Sequence, residues 1–214
     1  MAVPLYFYST GAYKEGKAFD AAGKTVNVYE STLKQIIAGD YDSDFERLRM
    51  AFTITANYDP YNSDKKQDNM YEAFKNKKYE DAIKLGKVIL EKEYVDMDAH
   101  RICLLSYGKI GDKKLAEHHW QVYSGLLNSV LNSGDGKSPE SAYRVIKVRE
   151  EYILLNEQGY EVEKQSLVSG KLGNCDLMEI KDTKTGEKLN LYFNVKISMD
   201  FMLNVFKKLN EKKE

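Results

Sequence analysis

Between Lys65 and Asn132 the apolar residues recur at helical spacing in four consecutive stretches. No other feature of the chain constrains its fold as much. The stretches run over residues 65–76, 79–93, 97–109 and 113–131, and the connections between them are only long enough for turns. Helices joined so closely pack as antiparallel hairpins. "KKYEDAIKLGKVIL" and "DKKLAEHHWQVYSGLL" each carry the start of a second helix, and Ala82 and Ala116 within them stand 34 residues apart. A small side chain at such a position lets paired helices approach closely. Counting back from Ala116, Leu104 and Tyr107 take the first-helix positions that pack against it, and Trp120 takes a large second-helix position.

A 34-residue period is that of tetratricopeptide repeats. We therefore read this region as a tetratricopeptide-like pair of helical hairpins. Two units fall short of the roughly three that such a stack needs, so other parts of the chain must cap it. Upstream, "VNVYESTLKQIIAG" begins with a strand-like piece and continues as a helix capped by Ser31 or Thr32 and ended by Gly39. In "DYDSDFERLRMAFTITANY" a second helix is capped by Ser43 or Asp44, with Phe45, Leu48, Phe52 and Ala56 on one face. Pro60 then breaks the chain.

After Asn132 the period changes from helical to alternating. "AYRVIKV" is rich in strand formers, "REEYILLNEQG" fits a short helix ended by Gly159, and "YEVEKQSLV" returns as a strand. In "CDLMEIKDTKTGEKLNLYFNV" the alternation of Leu189, Leu191, Phe193 and Val195 with Asn190, Tyr192 and Asn194 makes a hairpin about a Lys184–Gly186 turn. "SMDFMLNVFKKLNEKKE" is an amphipathic helix capped by Ser198, with Phe201, Val205 and Leu209 on one face and Met202 and Phe206 beside it. The expectation is an α+β chain: a poorly anchored segment over residues 1–23, a helical tetratricopeptide-like region over 24–132, and a small antiparallel sheet with a C-terminal helix over 133–214.

A formal net charge of -1 argues against a bulk electrostatic nucleic-acid binder. No apolar run approaches the ~20 residues of a membrane-spanning helix. "MAVPLYFYSTGAYKEGK" lacks the order of charges of a signal peptide, so the chain reads as cytoplasmic if its start is taken literally. A start further upstream would allow export or attachment to the envelope. The two cysteines, Cys103 and Cys175, lie far apart in different segments and read as buried thiols.

"NSGDGKSPE", residues 132–140, has the look of a ligand loop. A phosphate-binding loop needs a glycine five positions before Gly136, where Leu131 stands, and it leads from a strand into a helix, the reverse of the order here. Asp135 and Glu140 supply too few oxygens for calcium. The loop reads as a corner, with Gly134 and Gly136 releasing the long helix through positive-φ turns. His118 and His119 are neighbours pointing about 100° apart on a helix and cannot chelate one metal together, although His100 can approach one of them across the hairpin. No metal and no cofactor is expected.

Glu150 and Glu151 stand side by side, an arrangement suited to capping and solvated charge; paired carboxylates doing acid–base work face each other instead. Arg47, Arg49, Tyr58 and Tyr61 form an aromatic and basic cluster with two readings. It lines a peptide or ligand groove, or an arginine of the pair satisfies loop carboxylates and carbonyls internally, and the second reading is favoured. The leading functional expectation is a non-enzymatic protein-interaction module. The alternatives are a small hydrolase using His100 or His118 with Glu150 or Glu151, and a small-ligand or glycan binder using Arg47, Arg49, Tyr58 and Tyr61.

"YDSDFERLRMAFTITANYDPYN", "SGDGKSPESAYRVIKVREEYILLNEQGYE" and "CDLMEI" followed by "LYFNV" together resemble an uncharacterised bacterial family, domain of unknown function 4919. The resemblance spans residues 25–207. It brings no activity with it. It implies small exported proteins with a leader, from which residues 1–23 depart.

Overall fold

The computed structural model describes residues 18–19, 25–62 and 65–211. The expectation for residues 1–23 lies outside them, except that β1 (Ala18–Phe19) pairs antiparallel with β2 (Thr25–Val26). Helix α1 (Val28–Ile37) starts earlier than its sequence suggested. The cap is Asn27, whose side chain accepts the Glu30 N–H at 3.1 Å, and Thr32 is buried within the helix. Asp44 caps α2 (Phe45–Phe52), accepting the Arg47 N–H at 2.8 Å. Ile36, Leu48 and Phe52 close this pair without exposed surface.

The four expected helices follow as α3 (Lys65–Lys75), α4 (Tyr79–Lys92), α5 (Met97–Ile110) and α6 (Lys113–Leu131). Each packs on the next, and Ala82 and Ala116 are both buried where the helices meet, in one core with Met70, Ile83, Ala99, Ile102, Cys103 and Tyr107. Trp120 is instead 48% exposed. Asp96 and Asp112 cap α5 and α6, and Gly111, at φ 85°, turns the chain between them.

The first helical pair is not stacked end-on. Helix α2 lies on α6, with the Phe45 ring over Gly125, where an added Cβ would stand 2.3 Å from a ring carbon. Gly125→Ala therefore gains helix propensity but must push a buried ring aside. We expect a net loss of about 1–3 kcal/mol, the usual scale for overpacking, read as a lower urea midpoint with unchanged slope.

Past α6, Gly134 and Gly136 make the corner for different reasons. Gly136 has φ 68°, whereas Gly134 is outside the positive-φ glycines; a Cβ there would strike the Ser141 carbonyl at 2.3 Å. Asp135 accepts the Lys137 N–H at 3.0 Å, which makes it a turn residue. The chain continues through β3 (Tyr143–Arg144), α7 (Val148–Gln158), β4 (Tyr160–Gly170), β5 (Gly173–Asp182), β6 (Lys188–Asn194) and α8 (Lys196–Glu211).

The sheet order is β3-β6-β5-β4. The expected antiparallel sheet is therefore mixed: β4, β5 and β6 are antiparallel, but β3 pairs parallel to β6. Chain returning from the corner enters beside β6 in the same direction, and helix α7 then carries it across to β4. Met178, Ile180 and Phe193 turn the inner sheet face into the core with Leu154 and Leu155 of α7. Ser198 does not cap α8; it is buried in the first turn and donates to the Val195 carbonyl at 3.1 Å. Phe201 packs edge-on to Tyr58 at 5.3 Å between ring centroids, while Leu203, Phe206 and Leu209 beyond it are more than half exposed.

Candidate functional site

Four consecutive residues of α7, Arg149 to Tyr152, point in four directions because each step turns the helix by about 100°. Glu150 faces inward to α2. Arg49 reaches it with Nε at 3.1 Å and an Nη at 2.5 Å, a bidentate pair in which the arginine has no exposed surface. Arg49 also donates to Ser129 and to the Arg144 carbonyl at 3.1 Å each, and Glu150 accepts the Ile146 N–H at 2.9 Å. The pair thus ties α2, α6, the β3 segment and α7 together.

Glu151 faces the sheet. It has no exposed surface, and among the described residues neither carboxylate oxygen has a hydrogen-bond partner. Burial, then the charges of Asp176 and Glu150, push its carboxyl up from 4.5 to about 9, so it holds a proton at neutral pH. Asp176 on β5 is 8% exposed, and burial raises its carboxyl too. Among the described residues its side chain accepts from an uncharged group, Gln165 Nε2 at 2.7 Å. Gln165 in turn accepts from the Tyr152 hydroxyl at 2.8 Å. Tyr61, in the turn after α2, lies close enough to Asp176 to feel its charge, and its hydroxyl lies against Ser198. Burial is the main cause of the raised Tyr61 and Tyr152 hydroxyls, with the carboxylates adding to it.

The same surface continues along α7. Arg149 pairs with Asp98 of α5, stacks over the Tyr71 ring of α3 at 5.5 Å and donates to the Tyr71 hydroxyl at 3.2 Å. Arg101 of α5 pairs with Glu157 at 3.3 Å. Helices α3, α5 and α7 therefore meet at Tyr71, Asp98 and Arg149. Three positions along α7 from Arg149, Tyr152 begins a strip that runs through Gln165 to Asp176, with Tyr61 within reach of the Asp176 charge. Tyr61 and Tyr152 are 44% and 39% exposed. A separate shallow hollow on the sheet, lined by Glu163, Glu179 and Lys188, has its charges paired within the chain.

The histidines form a different cluster. His100 Nε2 faces the Tyr94 carbonyl at 2.8 Å, so that nitrogen carries the proton and Nδ1 accepts from His119 Nδ1 at 2.9 Å. His118 bridges the hydroxyls of Tyr41 and Tyr94 at 2.7 and 2.8 Å. Burial lowers all three, His119 to about 4, and charge on a neighbouring histidine opposes protonation of His100 and His119 further. These are neutral rings that join α5, α6 and the α1–α2 turn. Among the described residues, no group of three or more histidine, cysteine, aspartate or glutamate side chains is placed to hold a metal ion.

The residues singled out in the sequence are thus dispersed. Arg49 is the internal arginine, Tyr58 is buried with its hydroxyl donating to the Ile146 carbonyl at 2.6 Å, Arg47 lies exposed on α2, and Tyr61 alone of that cluster reaches the strip. His100 and His118 share no hydrogen bond with Glu150 or Glu151. Both glutamates are buried, against the expectation of solvated charge. Tyr71, Asp98, Arg149, Tyr152, Gln165 and Asp176 were not singled out; their partners come from other elements, and local spacing carries no sign of them.

The profile described as "Domain of unknown function (DUF4919)" matches residues 25–203. No curated protein and no solved structure matches the chain. Among the described residues, no helix is long and apolar enough to cross a membrane.

Proposed function

The chain belongs to the DUF4919 family, and from that premise we propose that it is a non-enzymatic protein-interaction module built on tetratricopeptide-like hairpins. In this reading α3–α4 and α5–α6 are the two repeats. Helix α7, packed on α5 as α5 is on α3, takes the place of the next first helix and caps the stack. The observation that carries the reading is the strip on α7. Exposed Tyr61, Tyr152 and Arg149 stand on one connected surface, held by partners beneath them. Tyrosine and arginine are the side chains that contribute most when desolvated at an interface. Their positions here are fixed before binding, which reduces the ordering cost. The buried histidines, and the pairing of Glu150 with Arg49, argue against the hydrolase alternative.

Photo-cross-linking tests this. p-Benzoylphenylalanine at position 152 of the full chain, in the cell that makes it, should yield an adduct of discrete mass. The adduct should fall at least about tenfold when Tyr61→Ala is added, as for loss of one hot-spot contact. The same probe at Trp120, exposed on the outer side of α6, should not yield it. Equal adducts at both positions, or none, would overturn the proposal. Two tyrosines beside Gln165 and Asp176 also suit a sugar ring, and saturable binding of a glycan lost in Tyr152→Ala would favour that second reading.

A further inference from the structure

Glu151 lies buried within reach of the charges of two further buried carboxyls, Asp176 and Glu150, and the chain pairs one of the three with a cation. Glu150 has Arg49. Among the described residues Asp176 has a neutral amide, and Glu151 has no hydrogen-bond partner. The charged groups that face Glu151 are Glu150 from its own helix and Asp176 from β5, both acidic. Around Asp176 stand Gln165 from β4, Tyr152 from α7 and Tyr61 from the turn before α3. A buried carboxyl with no partner is costly to retain, and polar groups left so in a folded protein call for an explanation.

We infer that this acid pair is a cation site, and that the strip takes the ammonium or guanidinium of a lysine or arginine side chain between Tyr61 and Tyr152, over Asp176. The inference rests on the interaction reading and specifies its ligand. Asp176 provides the exposed edge of the pair and a direct charge-assisted hydrogen bond. The tyrosine faces suit an organic cation. Glu151 lies beneath, out of contact with solvent, and acts through its field as a positioning charge. When the cation arrives, the carboxylate form of Glu151 becomes favourable and its proton leaves to the buffer. The site thus exchanges a proton for a cation, and binding strengthens as pH rises.

The test uses the full chain, followed by NMR at the Gln165 side-chain amide and the Tyr152 backbone. The probes are N-acetyl-lysinamide, its uncharged isostere N-acetyl-norleucinamide, methylammonium, and a hexapeptide with one central lysine. The lysine probes should shift both signals and norleucinamide should not. Affinity should rise about tenfold between pH 6 and 8, since each proton linked to binding contributes up to tenfold per pH unit. Asp176→Asn should abolish binding. Glu151→Gln should keep the fold, hold the affinity at pH 8 down to the level the parent shows at pH 6, and so remove the pH dependence, a readout that a merely structural glutamate would not move. Equal binding of norleucinamide, a pH rise that persists in Glu151→Gln, or no shift with any probe overturns the inference. If methylammonium binds as tightly as the hexapeptide, the cation site stands and the protein-interaction reading falls. If the position-152 adduct forms while the lysine probes do nothing, the reverse holds.

Discussion

Replacing Arg49 by alanine lowers the unfolding free energy by about 3–5 kcal/mol, the range for removing one partner of a buried ion pair. The loss exceeds that of a typical core truncation because of what remains. Glu150 is stranded without its partner among buried neighbours, and Ser129 and the Arg144 carbonyl each lose a donor. Arg49→Lys does not restore the pair, since one ammonium cannot make the two-pronged contact and also reach Ser129. The double variant Arg49→Met with Glu150→Leu should recover part of the loss, because neither member of the ion pair is left alone, although the Arg144 carbonyl and the Ile146 N–H then lack their partners. Urea denaturation of the three variants checks this. If the double variant is less stable than Arg49→Ala, the stranded glutamate is not what costs stability.

Glu151→Gln stabilises the protein at neutral pH. The folded-state carboxyl sits at about 9 against 4.5 for the free group. The unfolded chain therefore gives up its proton near 4.5, and the folded chain retains it until about 9. Between those limits the folded state binds more protons, so this group's contribution to stability falls as pH rises and levels off above the upper one. At about 1.4 kcal/mol per unit, the handicap at pH 7 is about 3 kcal/mol, less whatever the buried amide itself costs. Below pH 4, where both carry an uncharged side chain in either state, the advantage of the variant should vanish, leaving only the cost of the buried amide. Comparing the two at each pH removes the contribution of other groups. The histidines act with the opposite sign: their lowered values mean stability lost as pH falls below 6.5. Unfolding curves of both proteins at pH 4, 6 and 8 decide it. A constant gap across that range would mean Glu151 is already ionised in the folded protein.

What could be read in advance follows from where each residue's partner lies. The helices of the hairpin region carry their apolar residues at local helical spacing, and Ala82 and Ala116 marked the packing because a small residue lets two helices meet closely. The β5–β6 hairpin was legible for the same reason, its alternation being local. The parallel pairing of β3 was not, since two residues carry no period. Helix caps were read one turn late at α1 and α8, where Ser31 and Ser198 competed with cap signals outside the apolar run. The site was the least legible part. Arg49 and Glu150 stand 101 positions apart, and adjacent glutamates in "REEY" look alike although one is paired and the other is not. Tyr61 stands out by its type beside two arginines, whereas Tyr152, nearly as exposed, is hidden inside a helical pattern.

The measurement that addresses the central claim most directly is hydrogen exchange of the full chain, alone and with the partner captured at position 152. If the strip is the recognition surface, slowed exchange concentrates in the segment after α2 that holds Tyr61, the α7 turns from Arg149 to Asn156, and β4 around Gln165. The outer side of α6 around Trp120 and the exposed end of α8 from Leu203 to Leu209 remain as in the free protein. Protection confined to α6 or α8, with α7 and β4 unchanged, would contradict the account.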